Sequence, residues 1–168
     1  EGQIWKMNDL LKYALTISSN SSMDIIANTV SKNNLEFIEN MNSYTKELGY
    51  KNFNFNSASG LDYGDILGGE GTALEYAKLF AKSYDLIPEI MSYTISSKVN
   101  LNSNSQKIYQ IPNTNKSASE IVGLMASKTG YTDAAGGNLA ILYETEINKP
   151  IVIVVLGSTF DERFTDRS

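Results

Sequence analysis

Neither cysteine nor histidine occurs in the 168 residues, and the two absences remove whole classes of chemistry. Without cysteine there can be no disulfide, no thiolate metal ligand and no thiol nucleophile. Without histidine, His-dependent triads and His-containing metal sites go as well, so proton transfer falls to Lys, Tyr, Asp or Glu. Positive charge is also in deficit: 14 Lys and Arg stand against 19 Asp and Glu, a net charge of −5. No basic stripe is present to track a phosphate backbone, and nucleic acid is not an expected partner. The longest apolar run, residues 151–156, is far too short to span a bilayer. No metal-ligand cluster, nucleotide loop or internal repeat is visible, and no metal or cofactor is expected.

What is there is one domain's length of chain, 42% hydrophobic, with helical patterning first and strand patterning last. Met7, Leu10, Leu11, Ala14 and Leu15 form one apolar helical face, ending near Ile17. After the polar break Ser18-Ser19-Asn20-Ser21-Ser22, a second helix is expected from Asp24. Its face would hold Met23, Ile26, Ala27 and Val30, and Ser21 or Ser22 is available as its cap. Phe37, Met41, Tyr44 and Leu48 mark a third helix that Gly49 stops. Residues 50–71 read as a long irregular connection, and Thr72 with Glu75 makes a capping box for a fourth helix buried through Ala73, Tyr76, Ala77, Phe80 and Tyr84. Pro88 opens a short helix. Weak extended candidates lie at 97–101 and 107–112, and three strands at 121–128, 138–144 and 150–157 close the chain, the last two as a hairpin across Asn148-Lys149. A final helix is expected from Asp161. The fold class is therefore α+β, a mainly helical part over 1–92 followed by a mainly strand part over 93–168.

Two polar clusters can carry chemistry. Lys128-Thr129-Gly130 closes an apolar strand, placing a cation and a hydroxyl at a sheet edge where glycine lets another backbone come close. Taken alone, the tripeptide is a strand ending in polar residues before a turn. About a hundred residues upstream, Ser18 and Asn20 lie in the helix-to-helix turn, where a Ser/Asn cluster would ordinarily be a helix cap. The neighbouring serines leave the register of Ser-x-Asn open by one residue; Ser18-Ser19-Asn20 is the favoured one.

A Ser-x-Asn followed by Lys-Thr-Gly belongs to the motif set of penicillin-binding enzymes. The chain resembles the serine D-alanyl-D-alanine carboxypeptidases, the low-molecular-weight penicillin-binding proteins, over nearly all its length. The resemblance also runs through Met41-Asn42-Ser43-Tyr44, Ser59-Gly60-Leu61-Asp62, Thr72-Ala73-Leu74-Glu75, Asn113-Thr114-Asn115, Gly137-Asn138-Leu139 and Asp161-Glu162-Arg163-Phe164. Ser19 and Ser21 stand where that family often has Gly and Asp, and Glu75 where it often has Asp. The resemblance implies a β-lactamase/transpeptidase-like fold, an extracytoplasmic location, and a substrate that is a peptidoglycan stem peptide ending in D-Ala-D-Ala, with β-lactam antibiotics as further ligands. It implies roles as well. Ser18 would relay a proton to the leaving amine, Asn20 would hold the substrate amide and the catalytic lysine, Lys128 and Thr129 would grip the terminal carboxylate beside Gly130, and the Tyr131 N–H would be an oxyanion donor.

The family's nucleophilic Ser-x-x-Lys is not found ahead of the Ser-x-Asn. One literal match exists, Ser43-Tyr44-Thr45-Lys46, on the polar face of the third helix. A solvated ammonium stays protonated at neutral pH and cannot deprotonate a hydroxyl, so this match is expected to be inert. The expectation is a partial domain, incomplete at both ends, whose nucleophile segment lies upstream of Glu1 or comes from a swapped copy. A non-catalytic cell-wall-peptide binder or scaffold is the alternative, and a β-lactamase a more remote one.

Overall fold

A computed structural model describes residues 4–102, 108–147 and 149–165. Helix α1, Met7–Ile17, ends at Ser18, whose left-handed backbone (φ 56°, ψ 47°) turns the chain sharply enough for α2, Asn20–Val30, to begin two residues later. The second helix thus starts ahead of the expected Asp24. Ser19, not Ser21 or Ser22, is its cap, accepting the Ser22 N–H at 3.3 Å. An abrupt αL stop leaves the next hydroxyl in capping position, which apolar spacing cannot reveal. Ile26 and Ala27 are buried, whereas Val30, expected beside them, is exposed.

Helix α3, Asn34–Glu47, is capped by Asn33 and buries Thr45 rather than Tyr44, which is exposed. The reason is a polar contact. Asn42 accepts the Phe55 N–H at 2.8 Å and donates to the Phe55 carbonyl at 2.7 Å, so its amide acts as a strand neighbour for β1, Asn54–Phe55. This strand pairs with β2, Gly69–Glu70, inside the long connection. An aromatic knot packs there, with Phe53 edge-on to Tyr76 at 4.8 Å and stacked on Phe55 at 5.1 Å.

The Thr72 hydroxyl caps α4, Ala73–Leu86, but the reciprocal half of the expected box is not formed. The Glu75 carboxylate instead accepts the N–H groups of Lys51 at 2.9 Å and Asn52 at 3.1 Å, tying the connection to the helix. Ala73 is exposed. Phe80 and Tyr84, further along the expected face, pack with Met91, Ala126 and Leu142. Helix α5, Pro88–Met91, and a 3-10 turn, Ser92–Ile95, lead into β3, Lys98–Asn102, which pairs antiparallel with β4, Ile108–Pro112. Lys107, where the second extended candidate began, lies outside the described residues.

The main sheet is antiparallel, in the order β5 (Leu124–Thr132), β6 (Gly136–Glu144), β7 (Pro150–Ser158). Strand β5 starts later than expected and runs further. Gly123, at φ 76°, turns the chain before it, while Lys128, Thr129 and Gly130 pair with Ala140, Leu139 and Asn138. The Lys-Thr-Gly motif therefore lies within the strand rather than at its end, because β6 continues pairing as far as Gly136. Alternation sends Leu139 and Ile141 to one face with Phe164, and Leu142 to the other beneath Phe80, Tyr84 and Met91. The expected final helix is a 3-10 turn, Glu162–Phe164. Asn148, in the expected hairpin turn, lies outside the described residues.

Candidate functional site

Ser18 owes its place to the joint between α1 and α2, where it is the lone non-glycine with positive φ among the described residues. An αL backbone costs an L-residue about 1–2 kcal/mol. Here it aims the side chain across to β5. The Ser18 hydroxyl donates to the Thr129 carbonyl at 3.1 Å and accepts a hydrogen bond from the Lys128 ammonium, a residue 110 positions away in sequence. The ammonium also donates to the Thr129 carbonyl, closing a triangle.

No carboxylate belongs to that triangle. Burial first, and then the positive charge of Arg163, lower the Lys128 pKa from 10.5 to about 8. The amine thus remains largely protonated at neutral pH but gives up its proton far more readily than an exposed lysine. Arg163 is itself buried, 3% exposed, with its guanidinium 4.5 Å from the Phe160 ring centroid and 4.8 Å from that of Phe164. It donates to the Gly130 carbonyl at 2.7 Å, and its Nε is buried without a hydrogen-bond partner.

Ser18, Gly130 and Arg163 line a pocket of about 260 Å³ with Thr114, Lys116, Thr129, Tyr131 and Phe160, and no acidic residue lines it; Lys128 lies behind this wall, joined to it through the Ser18 hydroxyl. The buried Thr129 hydroxyl lies 2.6 Å from that of Thr114. Thr114 is fixed by Asn113, whose amide donates to the Thr94 and Ser96 carbonyls at 2.8 and 3.0 Å and whose oxygen accepts the Asn115 N–H at 2.8 Å. On the other wall Tyr131 and Phe160 meet edge-on at 5.1 Å. Asp62 lies beside the end of β5: the Gly68 N–H and then the Thr132 hydroxyl hold its carboxyl below the usual range, against a weaker opposing effect of burial.

Turn chemistry holds the Arg163 side in register. Asn138 donates to the Gly136 carbonyl at 2.9 Å and accepts the Gly157 N–H at 3.0 Å, fixing the turn between β5 and β6. A Cβ on Gly137 would fall 2.0 Å from the Thr159 carbonyl oxygen, so only glycine lets the segment leading to Arg163 approach this closely.

Of the six expected site residues, Ser18, Thr129, Gly130 and Tyr131 line this pocket, and Lys128 joins them through its hydrogen bond to Ser18. Asn20, the first residue of α2, is exposed and is not among the pocket's lining. Thr114 and Arg163 were given no role from the sequence, although both fall in segments that carry the resemblance. Ser43 and Lys46 are both exposed, along an open groove of about 550 Å³ on α3.

A family model described as D-alanyl-D-alanine carboxypeptidase matches residues 1–159. The chain is 31% identical over 149 residues to the D-alanyl-D-alanine carboxypeptidase DacA of Haemophilus influenzae, covering 89% of this chain and 36% of that protein. It is 33% identical over 160 residues to DacC of Escherichia coli, covering 94% and 38%. Penicillin-binding protein D2 of Listeria monocytogenes, solved in its ampicillin-bound form, superposes with a TM-score of 0.84 at 30% identity, covering 97% of this chain and 65% of that one. The chain spans between 36% and 51% of the length of four curated relatives it matches, DacA and DacC among them.

Proposed function

Taking as premise that this chain belongs to the D-alanyl-D-alanine carboxypeptidase family, we propose that it forms the substrate-clamping part of a serine-type D-Ala-D-Ala carboxypeptidase. Its substrates are peptidoglycan stem peptides, which places its work outside the cytoplasmic membrane. The observation that carries this reading is the hydrogen-bonded triangle of Ser18, Lys128 and Thr129 at the wall of one cationic pocket, contributed by a helix joint and a strand far apart in sequence.

An extended peptide tail lies along the free edge of β5, its terminal carboxylate against Thr129 and Lys128, with the Arg163 charge behind them. Peptide groups of a strand face alternate edges, so the Tyr131 N–H shares the edge of the Thr129 carbonyl and is placed to donate to an oxyanion. A serine hydroxyl attacks the penultimate D-alanine carbonyl and loses its proton to a lysine. The C–N bond then breaks as a proton passes through Ser18 to the departing D-alanine amine, and water clears the acyl-enzyme. Ser18 suits this relay because it accepts from an ammonium whose pKa is about 8. Asn20, one turn-residue away, is assigned to the substrate amide and the attacking site's lysine.

The nucleophile and its lysine are assigned to polypeptide outside these 168 residues, or to a swapped copy, since Ser43 and Lys46 are solvated. Two features support a missing cover. Strand β7 keeps Ile151 and Leu156 more than 40% exposed on the outer strand of the sheet, and α4 contains no fully buried residue.

Intact mass after exposure to a penicillin tests the reading. The full-length protein is expected to gain one adduct and the 168-residue chain none. A full-length protein that stays unmodified sinks the carboxypeptidase assignment, and an adduct mapped to Ser43 overturns the assignment of the nucleophile.

A further inference from the structure

The Thr129 hydroxyl, assigned above to carboxylate recognition, is already engaged by a second hydroxyl. Thr114 Oγ1 lies 2.6 Å from Thr129 Oγ1, with either atom able to donate, and 3.1 Å from the Thr16 carbonyl oxygen. The Thr114 N–H donates to the same carbonyl at 3.0 Å. Thr16 is fully buried and Thr129 is 6% exposed, so water does not readily replace these partners.

Each hydroxyl carries one proton, which permits two arrangements. In the first, Thr129 donates to Thr114 and Thr114 donates to Thr16, so that the Thr129 proton points away from the pocket. In the second, Thr114 donates to Thr129, and the Thr129 proton turns outward to a ligand. The Thr16 carbonyl loses one donor in this exchange but keeps the Thr114 N–H, so nothing buried is left unpaired. A neutral acceptor in the pocket therefore exchanges one hydrogen bond for an equivalent one. An anionic acceptor gains, because a charge-assisted bond replaces a neutral one and the aligned donors reinforce each other.

The geometry points to Thr114 as a positioning residue that makes the Thr129 hydroxyl selective for a free C-terminal carboxylate over a neutral terminus. This rests on the carboxypeptidase reading and deepens it. Thr114 touches no reacting atom in this scheme; it acts through Thr129.

The test compares a stem peptide ending in a D-Ala-D-Ala carboxylate with the same peptide as its C-terminal amide, each measured on the full-length protein as a competitor of penicillin acylation. The wild type is expected to favour the carboxylate. In Thr114→Val the hydroxyl of Thr129 has no resting acceptor, so a neutral terminus now gains a bond, and the preference should shrink roughly tenfold, mainly by tighter binding of the amide. Thr114→Ser should retain the wild-type ratio. A residue that merely packed would move both peptides together. A Thr114→Val protein that melts normally and keeps the wild-type ratio overturns the inference, as does a Thr114→Ser protein that loses it. Should the valine variant fail to fold, Thr114→Ala removes the same hydroxyl and is held to the same outcome. A full-length protein inhibited by neither peptide sinks the carboxypeptidase reading and this inference with it, whereas an unchanged ratio strikes Thr114 alone.

Discussion

Ser43 and Lys46 stand one turn apart on α3, both exposed, beside an open groove of about 550 Å³. Ser18 and Lys128 stand 110 positions apart, yet their side chains share a hydrogen bond at the wall of a pocket half that volume. The residue types are the same and the chemistry is not. On α3, the ammonium stands in water with no buried partner. Behind the pocket wall, burial and the Arg163 charge lower the Lys128 pKa to about 8, and the neighbouring serine is oriented by two fixed partners. Spacing along a helix places two groups near each other; desolvation and a third group change their protonation chemistry.

The sharpest way to break this contrast is to mutate both pairs in the full-length protein and follow penicillin acylation by stopped-flow or mass. Lys128→Ala should slow acylation roughly a hundredfold or more, while Ser43→Ala and Lys46→Ala leave it within about twofold. Equal effects from the two pairs would end the distinction.

Stability against pH reads the same contrast without turnover. Between about 8 and 10.5 the folded state holds fewer protons at Lys128 than the unfolded chain does, so stability rises with pH across that window. Below it, the buried charge opposes folding by about 2–3 kcal/mol. Denaturant melts of Lys128→Met should lose this rise, whereas Lys46→Met should track the wild type; parallel curves for all three proteins would contradict the burial of the Lys128 charge.

Smaller effects follow in the supporting structure. Gly137→Ala forces the Thr159 carbonyl away and should destabilise by about 1–3 kcal/mol. Because Thr159 leads to Arg163, it should also weaken competition by a carboxylate-terminated peptide, which a purely remote loss of stability would not do. Asn42→Ala removes both bonds to the Phe55 backbone and should cost about 1–2 kcal/mol. Acylation at saturating penicillin should be unaffected, which would mark the α3 groove as structural.

Much of this was legible in the chain. Apolar periodicity located α1, α3, α4 and the three strands of the main sheet, because each buries a face against a neighbour. It misjudged where polar groups do the joining. Asn42 binds a strand through its amide, and α3 keeps Phe37, Met41 and Leu48 half-buried while Tyr44 is left exposed. Ser19 takes the cap that an αL turn hands to it. Glu75 caps nothing, because two backbone N–H groups of the preceding loop compete better for its carboxylate. The motif residues of the pocket could be named from sequence, but the partners that tune them could not. Thr114 and Arg163 contact the motif residues across β4, β5 and the terminal 3-10 turn, and no local pattern encodes that meeting.

The left-handed backbone at position 18 has an outcome on the scale of lineages. Asparagine tolerates that conformation better than serine, and its amide oxygen could still accept the hydrogen bond from the Lys128 ammonium, so the scaffold by itself has little reason to keep a hydroxyl there. On the proposed mechanism, serine is kept at this joint for the proton it relays. Among sibling sequences that retain the surrounding architecture, loss of that one oxygen would be an early mark of members retired from chemistry.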